Sequence, residues 1–147
     1  MFNFQSTASL IFGNEESVNS TDQIKTLLGK NIFIITDKGL TELGLLEPTI
    51  KKIKIHSNVK IFDDVESDPS KSTLLKAFET AKEFNSTGVL GFGGGSSMDV
   101  AKLVSLLLGS NQDIETIWGI NNTRGPRLPL VLIPCLLYTS DAADEVL

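Results

Sequence analysis

The chain has 147 residues, 41% hydrophobic and 21% charged, with thirteen basic against eighteen acidic side chains and a formal charge of -5. That length suits one domain with a true core, burying roughly 68–70% of the surface its unfolded chain exposes, and the composition excludes a disordered chain. No apolar run approaches the ~20 residues of a membrane helix, and the acidic balance offers no footprint for a phosphate polymer, so neither a membrane nor a nucleic-acid partner is expected. The opening MFNFQSTASL lacks a basic segment followed by a long apolar one, so no signal peptide is expected. The single cysteine, Cys135, has no internal disulfide partner, which fits a reducing compartment or a simple absence of need, and a cytoplasmic location is expected.

After an alternating stretch around Leu10 and Phe12, the run NIFIITD at 31–37 has the continuous apolar character of a strand buried on both faces. Residues 38–46 and 49–55 read as helices, the second introduced by Glu47-Pro48, with proline at a tolerated first-turn position. A second strand is expected at 59–62. Asp68-Pro69-Ser70 then signals a helix start, with Asp68 as the cap, and Leu74, Leu75, Phe78 and Ala81 fall on one face of that helix. A third strand is expected at 88–91, a helix at 96–108, a loop over 109–127 and a fourth strand at 130–133 between two prolines. Strand and helix alternate throughout, which predicts an α/β fold: a Rossmann-like, mainly parallel sheet with flanking helices.

The most informative segment is GFGGGSSMD at 91–99, between the third strand and the longest helix. Three glycines in succession are costly in backbone entropy, and their use is close approach, since without Cβ atoms backbone amides can meet an anion directly. The helix beginning at this loop adds unpaired N–H groups and about half a positive charge at its start. A phosphate or pyrophosphate cradle is the reading this supports. The competing reading is a plain turn in which Ser96 and Asp99, at capping-box spacing, serve only the helix. The common dinucleotide fingerprint does not fit: begun at Gly91, it puts Ser96 where its third glycine belongs, and no acid follows ~20 residues later on a next strand. Asp37, at the end of the first strand, has two readings, a ribose-binding carboxylate that disfavours a 2′-phosphate or a cap for the next helix.

ITDKGL at 35–40, VESDPS at 65–70, GFGGGSSMDVAK at 91–102 and LPLVLIP at 128–134 resemble, in order and spacing, the N-terminal domain of the iron-containing (group III) alcohol dehydrogenases. The resemblance implies NAD(P)-dependent interconversion of a small-molecule alcohol and an aldehyde or ketone at a metal-bound alkoxide, and Asp37, read as the ribose carboxylate, favours NAD over NADP. It implies that Gly94, Gly95, Ser96 and Ser97 contact the cofactor pyrophosphate, that Asp99 supports the loop, and that Asp37 sits at the adenosine ribose. Asp68 stands where many members carry asparagine near the cofactor. Fe2+ or another divalent metal is held in the family by one aspartate and three histidines of a helical C-terminal domain. The only histidine here is His56, so that domain, the metal ligands and any catalytic residue are expected to lie outside this chain, and the chain alone is expected to be an inactive fragment.

In the family the last strand leads into a loop of the form T-T-x-G-T-G-S-E. Here Pro134 is followed by CLLYTSDAADE, which resembles the translated sequence of a transposase-type sequencing adapter. The expected organisation is therefore a nucleotide-binding domain over residues 1–134 and a non-native tail over 135–147. Without the tail the chain carries thirteen basic and fifteen acidic residues and no cysteine. A stand-alone nucleotide-binding module and a relative of the glycerol dehydrogenases or dehydroquinate synthases remain as alternatives, and a homo-oligomeric state is left open.

Overall fold

The run Asn31–Ile35 forms β1, in which Ile32, Phe33, Ile34 and Ile35 are all fully buried. Consecutive buried side chains require cover on both faces of a sheet. The computed structural model, which describes residues 21–110, 113–114 and 126–135, provides that cover. With β2 (Asn58–Phe62), β3 (Gly88–Gly93) and β4 (Leu130–Pro134), β1 builds a sheet of order β2-β1-β3-β4 in which every pairing is parallel. The described helices are α1 (Thr21–Leu28), α2 (Lys38–Leu43), α3 (Glu47–Lys54), α4 (Lys71–Glu83) and α5 (Gly95–Ser110). The Rossmann-like α/β expectation holds.

The strand period of two divides the core into two layers. Phe33 and Ile35, with Phe62 and Val89, pack against Leu74, Ala77 and Ala81 of α4 and Val100, Ala101 and Val104 of α5. Ile32 and Ile34, with Leu90 and Phe92, pack against Ile24 and Leu28 of α1, Leu40 of α2 and Ile50 and Ile53 of α3.

Several boundaries differ from expectation for physical reasons. The first helix after β1 stops at Leu43 instead of 46, because Gly44 adopts the left-handed conformation and its N–H bonds to Thr41 O. Asp68 does not cap α4: Ser70 does, with an extended backbone and its hydroxyl oxygen accepting from Thr73 N at 3.2 Å. The last helix begins at Gly95 and runs through Gly109 to Ser110, where a loop is expected from 109. Gly109 is helical yet necessary, since a Cβ there would lie 2.6 Å from Pro126 O and Arg127 C in the chain returning to β4. Ser105 fastens that return by donating to Leu128 O at 2.7 Å and accepting Leu128 N at 3.0 Å through its carbonyl. The expected loop at 111–112 and 115–125, and the alternating stretch around Leu10 and Phe12, lie outside the described residues.

Helix α1 has no counterpart among the expected elements. Its end crosses the start of β3, where the Thr87 hydroxyl lies 2.7 Å from Leu28 O and accepts Asn31 N at 2.9 Å. Gly88 permits the crossing, because a Cβ there would stand 2.6 Å from the Leu28 backbone. Gly88→Ala is expected to destabilise the chain by about 1–3 kcal/mol, as overpacking against backbone does. The measurement is the urea midpoint at constant slope, and an unmoved midpoint would mean that α1 yields.

Candidate functional site

Strands β1 and β3 lie side by side and parallel, with Ile35 in register with Gly91. The helices that come after them go to opposite faces, α2 and α3 to one layer and α5 to the other. Such a reversal opens a crevice at the carboxyl ends of the two strands, the position where open α/β sheets bind ligands. Thr36-Asp37 leaves β1 there, and Gly93-Gly94-Gly95 leaves β3.

Glycines of this loop have distinct reasons to lack a side chain. At Gly91 a Cβ would meet the Ala101 Cβ at 2.8 Å, so its absence lets α5 lie close on β3. Gly93 has φ +140, a conformation that side chains disfavour, and a Cβ there would press on Leu40 of α2 at 3.0 Å. At Gly95 a Cβ would meet nothing within 4 Å among the described residues, so neither their packing nor positive φ requires a glycine there. The space beside it is open.

The first ladder bond of α5 runs from Met98 N to Gly94 O at 3.1 Å. The N–H groups of Gly95, Ser96 and Ser97 precede it and have no acceptor among the described residues, as a helix start leaves them. The loop thus presents three donors at the positive end of a sixteen-residue helix. Ser97 is buried, with its hydroxyl beside Gly93, so what it offers an anion is its amide. Ser96 forms no capping box with Asp99: it lies inside the helix, and its hydroxyl donates to Ser67 O at 2.7 Å. Asp99 is exposed and makes no hydrogen bond or ion pair among the described residues.

Asp37 does cap. Its Oδ1 accepts Leu40 N at 2.9 Å from an extended backbone, while Thr41 Oγ1 donates to its carbonyl at 2.8 Å. Among the described residues Oδ2 has no partner, so capping leaves half of the carboxylate available at the crevice. Asp68 is exposed and unbonded among the described residues, on the segment between β2 and α4.

Residues 7–144 match the family model described as iron-containing alcohol dehydrogenase. The chain belongs to that family. A curated relative, sulfoacetaldehyde reductase of Bilophila wadsworthia, is 32% identical over 86% of this chain and 32% of its own length. A solved iron-containing alcohol dehydrogenase of Thermotoga maritima superposes with a TM-score of 0.75 at 31% identity, covering 91% of this chain and 38% of that one. Sulfoacetaldehyde reductase from Bifidobacterium kashiwanohense, solved in complex with NAD+, shares the fold with a TM-score of 0.73 at 20% identity over 91% of this chain and 36% of its own. The chain therefore spans about a third of the length of these proteins.

In this family member the wall of the crevice beyond β2 is formed by residues 63–70, whose anchoring the motifs do not reveal. Asp64 makes an antiparallel bridge with Asp37 and takes two lysines, Lys38 of α2 at 3.0 Å and Lys76 of α4 at 3.2 Å. Hydrogen bonds and charge from the two lysines hold the Asp64 carboxyl below its ordinary pKa, and Asp64 in turn raises that of Lys38. Glu66 Oε1 accepts Ser70 N at 2.9 Å and the Thr73 hydroxyl, and these bonds, Thr73's foremost, hold its carboxyl low as well. The DPS start signal could have led to Ser70; Asp64 and Glu66 carry no local signal.

Among the described residues no group of three or more His, Cys, Asp or Glu side chains could hold a metal ion, and no helix is long and apolar enough to cross a membrane. A carboxyl held low in the folded state stabilises that state above its unfolded pKa, and the contribution disappears as pH falls through the folded value. The Asp64 clasp is therefore expected to be present at neutral pH and lost in acid. In a carboxyl-detected NMR titration Asp64 should titrate below the ordinary aspartate value of ~3.9. In Lys38→Ala/Lys76→Ala it should return toward that value, and an identical curve in both proteins would refute the clasp.

Proposed function

We propose that this domain binds the pyrophosphate and adenosine ribose of NAD, as the nucleotide half of an NAD-linked, metal-dependent alcohol dehydrogenase that interconverts an alcohol and an aldehyde or ketone. The observation that carries the reading is the start of α5: three amides without an acceptor among the described residues, and no described atom within 4 Å of where a Gly95 Cβ would stand. Those residues fit a pyrophosphate, whose oxygens are acceptors that helix N-termini bind. The NAD+ complex of a protein with the same fold supports the assignment.

When bound, the nicotinamide supplies the hydride acceptor. The work of this chain is to bind and orient. The amides of Gly95, Ser96 and Ser97 hold the pyrophosphate, Gly94 keeps the approach open, and Oδ2 of Asp37 accepts from the ribose hydroxyls while Oδ1 remains on Leu40. Asp68 lines the cofactor side of the rim and Asp99 backs the loop from the next turn. Among the described residues no cluster of side chains fits a metal, and the roles given to these residues involve none. We place residues 1–134 in the nucleotide domain and 135–147 in a non-native tail, on the likeness of CLLYTSDAADE to adapter sequence. Cys135 N does bond to Gly93 O at 2.9 Å, but that is a backbone bond any residue prolonging β4 would make. A chromosomal gene encoding the same eleven residues without interruption would remove this assignment.

Gly95→Val is expected to weaken NAD binding roughly tenfold or more, the scale of losing one hydrogen bond to a charged group. The urea midpoint should change little, since a Cβ at this position meets no atom of the described residues within 4 Å. Calorimetric titration showing unchanged NAD affinity would refute the cradle. Asp37→Asn keeps an oxygen for the cap and removes the charge. It should raise the NADP-to-NAD affinity ratio about tenfold, equivalent to about 1.4 kcal/mol. An unaltered ratio would leave Asp37 as a cap alone.

A further inference from the structure

The segment 63–70 is fastened at intervals to three helices. Asp64 is clasped by Lys38 of α2 and Lys76 of α4, Glu66 holds the start of α4 through Ser70 N and the Thr73 hydroxyl, and Ser70 caps that helix. Between those anchors, Ser67 has one hydrogen bond among the described residues, from Ser96 Oγ of α5 to its carbonyl oxygen at 2.7 Å. The direction of that bond is fixed, because a carbonyl only accepts. A serine hydroxyl has a single proton. With that proton on Ser67 O, the Ser96 hydroxyl has none to give a phosphate oxygen, which is likewise an acceptor.

We infer that Ser96 is a positioning residue, whose hydroxyl latches the 63–70 rim to the start of α5 while only its amide faces the pyrophosphate. The latch sets the distance between the cradle and the exposed pair Ser67-Asp68, so that a dinucleotide meets a wall already in place. A lone pyrophosphate, which reaches only the amides, does not use that wall. The inference rests on the cradle reading for its ligand and on the Ser96–Ser67 bond for its geometry, and the two are tested separately.

The 147-residue chain, Ser96→Ala and Ser96→Thr are titrated with NAD+ and with inorganic pyrophosphate, and amide exchange over 65–70 is followed by mass spectrometry. Ser96→Ala should weaken NAD+ about three- to tenfold, the worth of one net hydrogen bond, and leave pyrophosphate affinity unchanged. Exchange over 65–70 should accelerate while β1 stays protected. Ser96→Thr, which keeps the hydroxyl, should restore both. A parallel loss of pyrophosphate affinity in Ser96→Ala would make the hydroxyl a direct ligand and overturn the inference, as would unchanged exchange over 65–70. If the unsubstituted chain binds neither probe, the cradle reading fails instead, and faster exchange in Ser96→Ala would still support the latch on the rim.

Discussion

The parallel pairing of β1 with β3 is the constraint on which the rest of the molecule depends. Because the helices after them cover opposite faces, the two chain exits diverge at one edge of the sheet, and everything read as a site lies there. The pairing alone would not suffice. Helix α5 has to start immediately after β3 and lie flat on the sheet, and the missing side chain at Gly91, where a Cβ would be 2.8 Å from that of Ala101, makes this possible. A bulkier residue would push the helix outward and move its first amides away from the exit of β1. Close helix–strand packing and the location of the amides are thus one fact.

Rigidity at this edge comes from bonds of unequal strength. The Lys38–Asp64–Lys76 clasp is exposed, both lysine side chains being 67% accessible, and pairs of that kind contribute little and are screened by salt. The Asp37–Asp64 bridge, the bond from Thr36 N to Phe62 O and the caps at Asp37 and Ser70 involve backbone atoms and short side chains, which lose little entropy on being fixed. These hold the first turns of α2 and α4 against the sheet, and the lysines add a charge bias to a geometry already set.

Strong, local signals in the sequence were sufficient for β1, β3 and α5, since a doubly buried run or a long apolar helix is written in consecutive residues. Helix α1 was not legible in that way: TDQIKTLL is short and mostly polar, and its buried Thr21, Ile24 and Leu28 matter only because β3, β4 and α3 pack against it. The DPS signal located a helix start but not its cap, because Asp68 and Ser70 both suit the role and the extended backbone of Ser70 decides it. At Gly109 the usual reading of glycine as a breaker gave way to contact with residues seventeen and more positions later. In the site, the spacing of Ser96 and Asp99 suggested a capping box, whereas the hydroxyl goes to Ser67 O, twenty-nine residues away. Short-range rules describe where an element begins; they do not contain the partner that a tertiary fold brings to it. Asp37 is the instructive case, since capping takes one carboxylate oxygen and leaves the other without a partner among the described residues, so the cap does not preclude the proposed ribose role.

The charges around the crevice bear on how the proposed pyrophosphate cradle would work. Asp64 engages Lys38 and Lys76, and Asp37, Asp63, Glu66 and Asp68 add further acidic side chains to the described rim. On that reading a diphosphate draws little long-range attraction from these side chains, unlike a site built on arginine or lysine clusters. Attraction has to arise at contact distance, from N–H groups aligned by the helix and within reach only because no Cβ intervenes. Such a site discriminates by fit before charge, and its determinants are the absent side chains: Gly91 sets how close the helix lies, Gly93 turns the chain toward it, and Gly95 leaves the opening.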